Sequence, residues 1–284
     1  MTYWMKAVKA VAFPVMMVVA ATLIVAGCSG SDQTAGGGAA PQASSAPTIA
    51  DGVYFAQEVE HGRTGWKNVV FFTVEGGSIT DAHWTAAHTS AGVDKQTLDR
   101  QGGYGMKDNG GAQWHWWEQA EATAAHLVAT QDPSTVEADA ISGATINVSY
   151  FFELVQQALA AGPVGFGPWR DGHYSAVAEE YSRTGWMDTV DITVIGGRII
   201  AVNWDAMAED GGTNKKQRSM DGEYGMYGDG PATWPWWEQA EAAQAFLLDT
   251  QDPEAVETDA VTGASIRLGG FQNLVTVALA GASR

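Results

Sequence analysis

Two hydroxyl-bearing residues stand at the same place in two copies of one short turn. Thr145 closes Asp139-Ala140-Ile141-Ser142-Gly143-Ala144-Thr145, and Ser265 closes Asp259-Ala260-Val261-Thr262-Gly263-Ala264-Ser265. Each turn precedes an apolar run that reads as a helix. At a helix start, unpaired backbone N–H groups and the positive end of the dipole favour an anion. A hydroxyl held there is either a simple N-cap or the carrier of a phosphate. Gly143 and Ala144 suit the second reading, because small residues let a bulky phosphorylated group approach the backbone. Asp139 would orient the hydroxyl or cap the turn.

Other side chains narrow the chemistry. Cys28 is the only cysteine, so a monomer has no disulfide, iron–sulfur cluster or Cys-x-x-Cys-His haem attachment, and redox chemistry would need an organic cofactor. His83, His88, His115 and His126 correspond in the second copy to Asn203, Ala208, Pro235 and Phe246. No metal site therefore belongs to the duplicated unit. No acid–base pair or nucleophile recurs to suggest catalytic residues. In Tyr104-Gly105-Met106 and Tyr224-Gly225-Met226, a glycine between an aromatic ring and a thioether allows a flat ligand to approach closely. Repeated tryptophans, Trp66/Trp186, Trp84/Trp204, Trp114/Trp234, Trp116/Trp236 and Trp117/Trp237, are core candidates that could also stack on a ring. Lys95 and Lys215 are either phosphate ligands or solvated lysines.

The elements that must position these groups recur at an offset of 120 residues. Asp51-Gly52-Val53-Tyr54 matches Asp171-Gly172-His173-Tyr174, Arg63-Thr64-Gly65-Trp66 matches Arg183-Thr184-Gly185-Trp186, and Trp116 through Ala122 matches Trp236 through Ala242. Val190, Ile192 and Val194 alternate up to Gly196-Gly197, after which Ile200, Val202 and Trp204 resume, predicting a hairpin with one buried face. Val70, Phe72 and Val74, then Ala82 and Trp84 around Gly76-Gly77, give the same pattern in copy one. A glycine-rich stretch with Lys95 or Lys215 follows. A helix is predicted from about Trp116 to Thr130 with Trp117, Ala120, Ala124 and Leu127 on one face, stopped by Gln131-Asp132-Pro133. A last helix carries Val148, Phe151, Phe152, Val155 and Leu159, echoed by Leu268, Phe271, Val275 and Leu279. The predicted class is α+β, two tandem domains, each an antiparallel sheet with packed helices.

Residues 1–27 read as an export signal, with Lys6 and Lys9 before an uncharged run that ends in Val25-Ala26-Gly27 ahead of Cys28. That order resembles a bacterial lipobox, which implies lipidation of Cys28 and anchoring to the cell membrane on its extracytosolic face. Residues 28–50 form a small, polar tether, 51–161 the first domain, 162–170 a Gly/Pro-rich linker and 171–284 the second domain. Removing the signal takes two of the 15 basic residues and no acids, leaving 13 against 33 and a formal charge of −20. Nucleic acid is thereby excluded as a partner.

The two turns resemble the Asp-x-x-(Ser/Thr)-Gly-Ala-(Thr/Ser) motif of FMN-binding domain proteins, in particular two-domain extracytosolic flavin lipoproteins of bacterial extracellular electron transfer. Asp139, Ser142, Gly143, Ala144 and Thr145 fit it fully; Asp259, Thr262, Gly263, Ala264 and Ser265 fit it with serine as the acceptor. The resemblance extends over nearly all of residues 51–281. It implies that a Mg-dependent flavin transferase, using FAD, attaches FMN through a phosphoester to Thr145 and Ser265, with Tyr104, Met106, Tyr224 and Met226 as flavin contacts. It further implies an electron carrier between a membrane quinol or flavoprotein donor and an extracellular acceptor such as ferric iron. The alternative is a lipoprotein that binds a flavin or an aromatic solute noncovalently, and a third reading leaves the turn as a helix cap in a surface module.

Overall fold

Alternation places a hairpin at the centre of each repeat, and the computed structural model has it there. The structure describes residues 49–134, 141, 144–227, 232, 234–257, 261 and 264–284. The signal segment, Cys28, most of the tether, Asp139, Ser142, Gly143, Asp259, Thr262 and Gly263 lie outside these. In the first repeat β2 (Trp66–Glu75) turns at Gly76-Gly77 into β3 (Ser78–His88). In the second, β5 (Trp186–Ile195) turns at Gly196-Gly197 into β6 (Arg198–Ala208). All four turn glycines have positive φ, as a two-residue loop between twisted strands requires.

A third strand completes each antiparallel sheet: β1 (Gly52–Gln57) beside β2, and β4 (Gly172–Val177) beside β5. The Asp-Gly-x-Tyr motif fastens it. Asp51 Oδ1 accepts the Gly77 N–H at 2.8 Å, Asp171 accepts those of Gly196 and Gly197 at 2.9 and 2.7 Å, and Tyr54 stacks on Phe72 at 4.9 Å. Helices α1 (Lys95–Arg100), α2 (Trp116–Thr130) and α3 (Ser149–Ala161) follow in repeat one. Their counterparts in repeat two are α4 (Lys215–Met220), α5 (Trp236–Thr250) and α6 (Gly269–Ala278), with a short 3-10 turn at Pro253–Ala255. The class is α+β in two repeated units. Each repeat has its own core: Val70, Phe72, Trp84, Leu127, Phe151 and Phe152 in the first, and Val190, Ile192, Trp204, Leu247 and Phe271 in the second.

Four details differ from the sequence reading. Trp116, not Trp117, is the buried tryptophan of α2, and the buried stripe takes in Gln119 and Thr123. Ile200 leaves the face of Val202 and Trp204, because register shifts between Thr193 and Val194 and leaves Ile200 as the extra residue of a bulge. Ile199 takes its place in the core. The sheets are not open on one side either. Val69, Ala87 and Ala91 of the first repeat meet Ile195, Ile200 and Ala201 of the second in a buried seam, with Phe55 and Phe71 packed on it. Thr193, expected on a polar face, is fully buried there and donates its hydroxyl to the Gly92 carbonyl at 2.7 Å. The linker 162–170 is held by hydrogen bonds to both repeats: Val164 N–H donates to Val53 O at 2.8 Å and Gly167 N–H to Gly196 O at 3.0 Å. Residues 46–284 form one compact unit.

Candidate functional site

Thr145 is not the cap of the helix that follows it. The N-cap of α3 is Val148 and that of α6 is Leu268, three residues beyond each hydroxyl. At the described end of each turn the backbone N–H groups are already paired. Those of Thr145 and Ile146 donate to the side-chain oxygen of Gln119 at 2.6 and 3.1 Å, and those of Ser265 and Ile266 to Gln239 at 2.7 and 3.1 Å. Both glutamines are fully buried on α2 and α5. Their amide groups donate in turn to the carbonyls of Trp114 and Trp234 at 3.1 and 2.8 Å. Each glutamine thus meets its hydrogen-bonding needs by clamping two loops together. The residues carrying the hydroxyls are exposed, and each hydroxyl also donates to the same glutamine oxygen, at 3.4 Å in both repeats, so the acceptor oxygen is held on a fixed backbone.

A cleft of about 460 Å³ opens beside Thr145, between Ile146 and Asn147 on one side and Trp66, Lys95, Tyr104 and Met106 on the other. Tyr104 and Met106, predicted from their spacing as ligand contacts, both line it. Tyr104 meets Trp66 edge-on at 6.0 Å. Met106 has a second duty, because its sulfur lies 3.9 Å from the Gln119 amide. Met226 packs at the edge of the equivalent core and Tyr224 meets Trp186 edge-on at 5.8 Å. Ala144 is half-buried against the first core.

Lys95 is the departure from expectation at this site. It is the first residue of α1, whose cap Asp94 accepts from the N–H groups of Gln96 and Thr97 and from the Thr85 hydroxyl on β3 at 2.6 Å. That anchoring turns Lys95 inward, to 9% exposure. Its ammonium lies 4.5, 4.7 and 5.3 Å from the ring centroids of Tyr104, Trp116 and Trp66. Lys215 repeats the cage with Trp236, Tyr224 and Trp186 at 4.6, 5.2 and 5.9 Å. Burial pulls the Lys95 pKa down to about 8, against the opposing pull of Asp99 and Glu58. Lys215 is lowered by the same cause. Cation–π attraction recovers part of the lost hydration. The same burial raises Tyr104 and Tyr224 above the ordinary phenol value.

Sequence reasoning missed the buried glutamines, although the repeated Trp-Trp-Glu-Gln pattern contains both. It also left the lysines between two readings. His83 pairs with Asp81 at 2.8 Å and stacks on Phe71, while His88 contacts Ser90 at 2.8 Å. Among the described residues no group of three or more His, Cys, Asp or Glu side chains could hold a metal ion. No helix of the described residues is long and apolar enough to cross a membrane.

No family model matches the chain. Two solved structures resemble part of it. A Clostridium thermocellum protein studied by NMR is 45% identical, covering 39% of this chain and 90% of its own at a TM-score of 0.31. A Clostridium perfringens protein is 22% identical, covering 40% and 88% at a TM-score of 0.35. The 15 kDa lipoprotein of Treponema pallidum (strain Nichols) is 32% identical over 134 residues, which are 45% of this chain and 86% of that protein. With a third of the residues shared along most of that protein's length, the chain belongs to the family of this 15 kDa lipoprotein.

Proposed function

We propose that the chain is a lipid-anchored, extracytosolic electron-transfer flavoprotein with FMN esterified to Thr145 and Ser265. The observation that carries this reading is the twice-built arrangement of an exposed hydroxyl on a glutamine-clamped backbone beside an aromatic, lysine-bearing wall. A helix-cap role has no support, since Val148 and Leu268 hold the cap positions. The donor set fits the group. A cleft of about 460 Å³ is within the size range of cofactor sites. Trp66 and Tyr104 offer rings for stacking, and the Lys95 ammonium offers a positive charge to a phosphate or to an electron-rich ring.

FMN would supply transfer of electrons singly or in pairs. The chain's own residues would hold it: Gln119 and Gln239 fix the acceptor loops, the aromatic walls exclude water, and Lys95 and Lys215 favour negative charge. Covalent attachment keeps a cofactor at fixed stoichiometry outside the membrane, where a dissociating one is diluted away. Membership of a lipoprotein family supports the reading of Cys28 as a lipidated first residue. The donor would be a membrane quinol or flavoprotein and the acceptor an extracellular oxidant such as ferric iron.

Intact-mass analysis of the membrane fraction, after co-expression with a flavin transferase and its FAD substrate, tests all parts together. The expected chain begins at an acylated Cys28 and carries two FMN units, each added with loss of water. Thr145→Ala removes one and Ser265→Ala the other. Colour that denaturation strips away without a mass increment would replace this reading with reversible flavin binding. Two increments persisting in Thr145→Ala would overturn the site assignment.

A further inference from the structure

The two sites share a scaffold but not a charge arrangement. In repeat one Asn68 and Glu58 both line the cleft, Asn68 accepting the Trp84 indole N–H at 3.0 Å and donating to Glu58 at 3.0 Å; Glu58 also takes the Asn68 backbone N–H at 2.7 Å. Repeat two has Ala178 at the position of Glu58 and Asp188 at that of Asn68. The carboxylate has thus moved from the residue after the first strand to the second strand itself. Trp204, the counterpart of Trp84, is 2% exposed, and its indole nitrogen has no hydrogen-bond partner among the described residues. Gly270 replaces Tyr150, and a Cβ placed there would stand 3.6 Å from Asp188 Oδ2, so the tyrosine side chain of repeat one has no counterpart beside this carboxylate.

We infer that the two flavin sites are tuned apart, Asp188 giving repeat two the lower reduction potential and a proton uptake at the position where repeat one has Asn68. This rests on the flavin reading of the sites. A carboxylate at this position would oppose electron gain by a flavin held beside it. It is relieved when Asp188 itself takes a proton from water. A bound flavin would supply the two-electron chemistry, and Asp188 would take up from water a proton that offsets the added negative charge. Burial already raises Asp188 above the ordinary carboxylate range. Lys215 on α4 opposes that shift, Asp205 on β6 reinforces it, and Tyr224 faces the same carboxylate. Asn68 cannot titrate, so the first repeat has no equivalent group at that position.

Single-flavin forms separate the sites: Thr145→Ala leaves Ser265 as acceptor, and Ser265→Ala leaves Thr145. Mass analysis first establishes that each carries one FMN, and its absence at Ser265 overturns this inference together with the reading beneath it. Midpoint potentials are then followed by spectroelectrochemical titration across pH. The expected result is a lower potential for the Ser265 form, with a steeper pH slope around the Asp188 pKa. Asp188→Asn should raise that potential and remove the extra slope, and Asn68→Asp should lower the potential of the Thr145 form. In the flavin-free chain, carbon NMR of labelled aspartate should show one carboxyl titrating above the ordinary range and missing from Asp188→Asn. Equal potentials with parallel pH profiles, or an Asp188 resonance in the ordinary range, would sink the inference while leaving both flavins in place.

Discussion

A caged lysine is an expensive residue for a fold to keep, and this one keeps it twice. Lys95 is held at about pKa 8 against an ordinary 10.5, a shift worth about 3 kcal/mol of disfavoured charge. Cation–π attraction from three rings returns roughly 0.5–2 kcal/mol. Lys95→Met is therefore expected to stabilise the chain by about 1–3 kcal/mol near neutral pH, measured by urea unfolding. Because the folded pKa lies below the unfolded one, the penalty is complete below about pH 8 and fades as pH rises toward 10.5, where the unfolded chain binds the extra proton. The gain in Lys95→Met should shrink over that window, and a variant less stable than the parent would show the cage to be structural. The equivalent placement of Thr145 and Ser265 at the ends of two matching turns was legible in the sequence because the motif repeats. The fate of the lysine was not. Its spacing in a glycine-rich stretch reads as solvated, and only the anchoring of Asp94 by Thr85 turns it inward.

Regular elements were readable where period and stop signal agree. The predicted helix from Trp116 to Thr130 has those bounds, since its apolar period runs unbroken up to Gln131, which takes a left-handed φ of 55° as C-cap. The first strand of each sheet was unread, because six residues with one buried side chain, Tyr54 in β1 and Ala176 in β4, give too short an alternation. Gln119 escaped for a different reason: a glutamine on a helix counts as a solvent-facing residue until a loop from elsewhere needs its oxygen. It joins α2 to the segment before α3, so its loss is felt between elements. Gln119→Leu leaves the Trp114 carbonyl without its side-chain donor and two backbone N–H groups without their acceptor. The expected cost is about 1–3 kcal/mol. The larger effect should fall on attachment, with a marked drop in the FMN increment at Thr145 and none at Ser265, read by intact mass. An undiminished increment at Thr145 would mean that the transferase needs only the hydroxyl and not the fixed backbone.

At the scale of the whole molecule, duplication predicted two domains on a linker, whereas the repeats share a seam that their alternation could not reveal. The outward residues of β5 and β6 look like one face of a solitary hairpin, and the bulge that sends both Ile200 and Ala201 to the seam breaks the two-residue period. Thr193 shows how completely the seam is closed, for its hydroxyl finds a partner 101 residues away. Gly197 and Gly167 meet so closely that a Cβ on Gly197 would lie 2.4 Å from the Gly167 carbonyl oxygen. Such packing fixes the two sites relative to each other, which a relay of electrons between them would need. Ile200 is 1% exposed at the centre of this contact. Ile200→Asp buries an unpaired charge there, at a cost of about 3–5 kcal/mol. Each repeat still holds its own core, so the expected outcome is separation of the repeats and not global unfolding. Calorimetry should change from a coupled transition to two resolved ones, and small-angle scattering should show a larger radius of gyration. Near-ultraviolet circular dichroism from the tryptophans in the two cores should stay close to that of the parent. If the variant instead unfolds as a single unit at lower temperature, the seam belongs to one common core and the repeats do not fold apart.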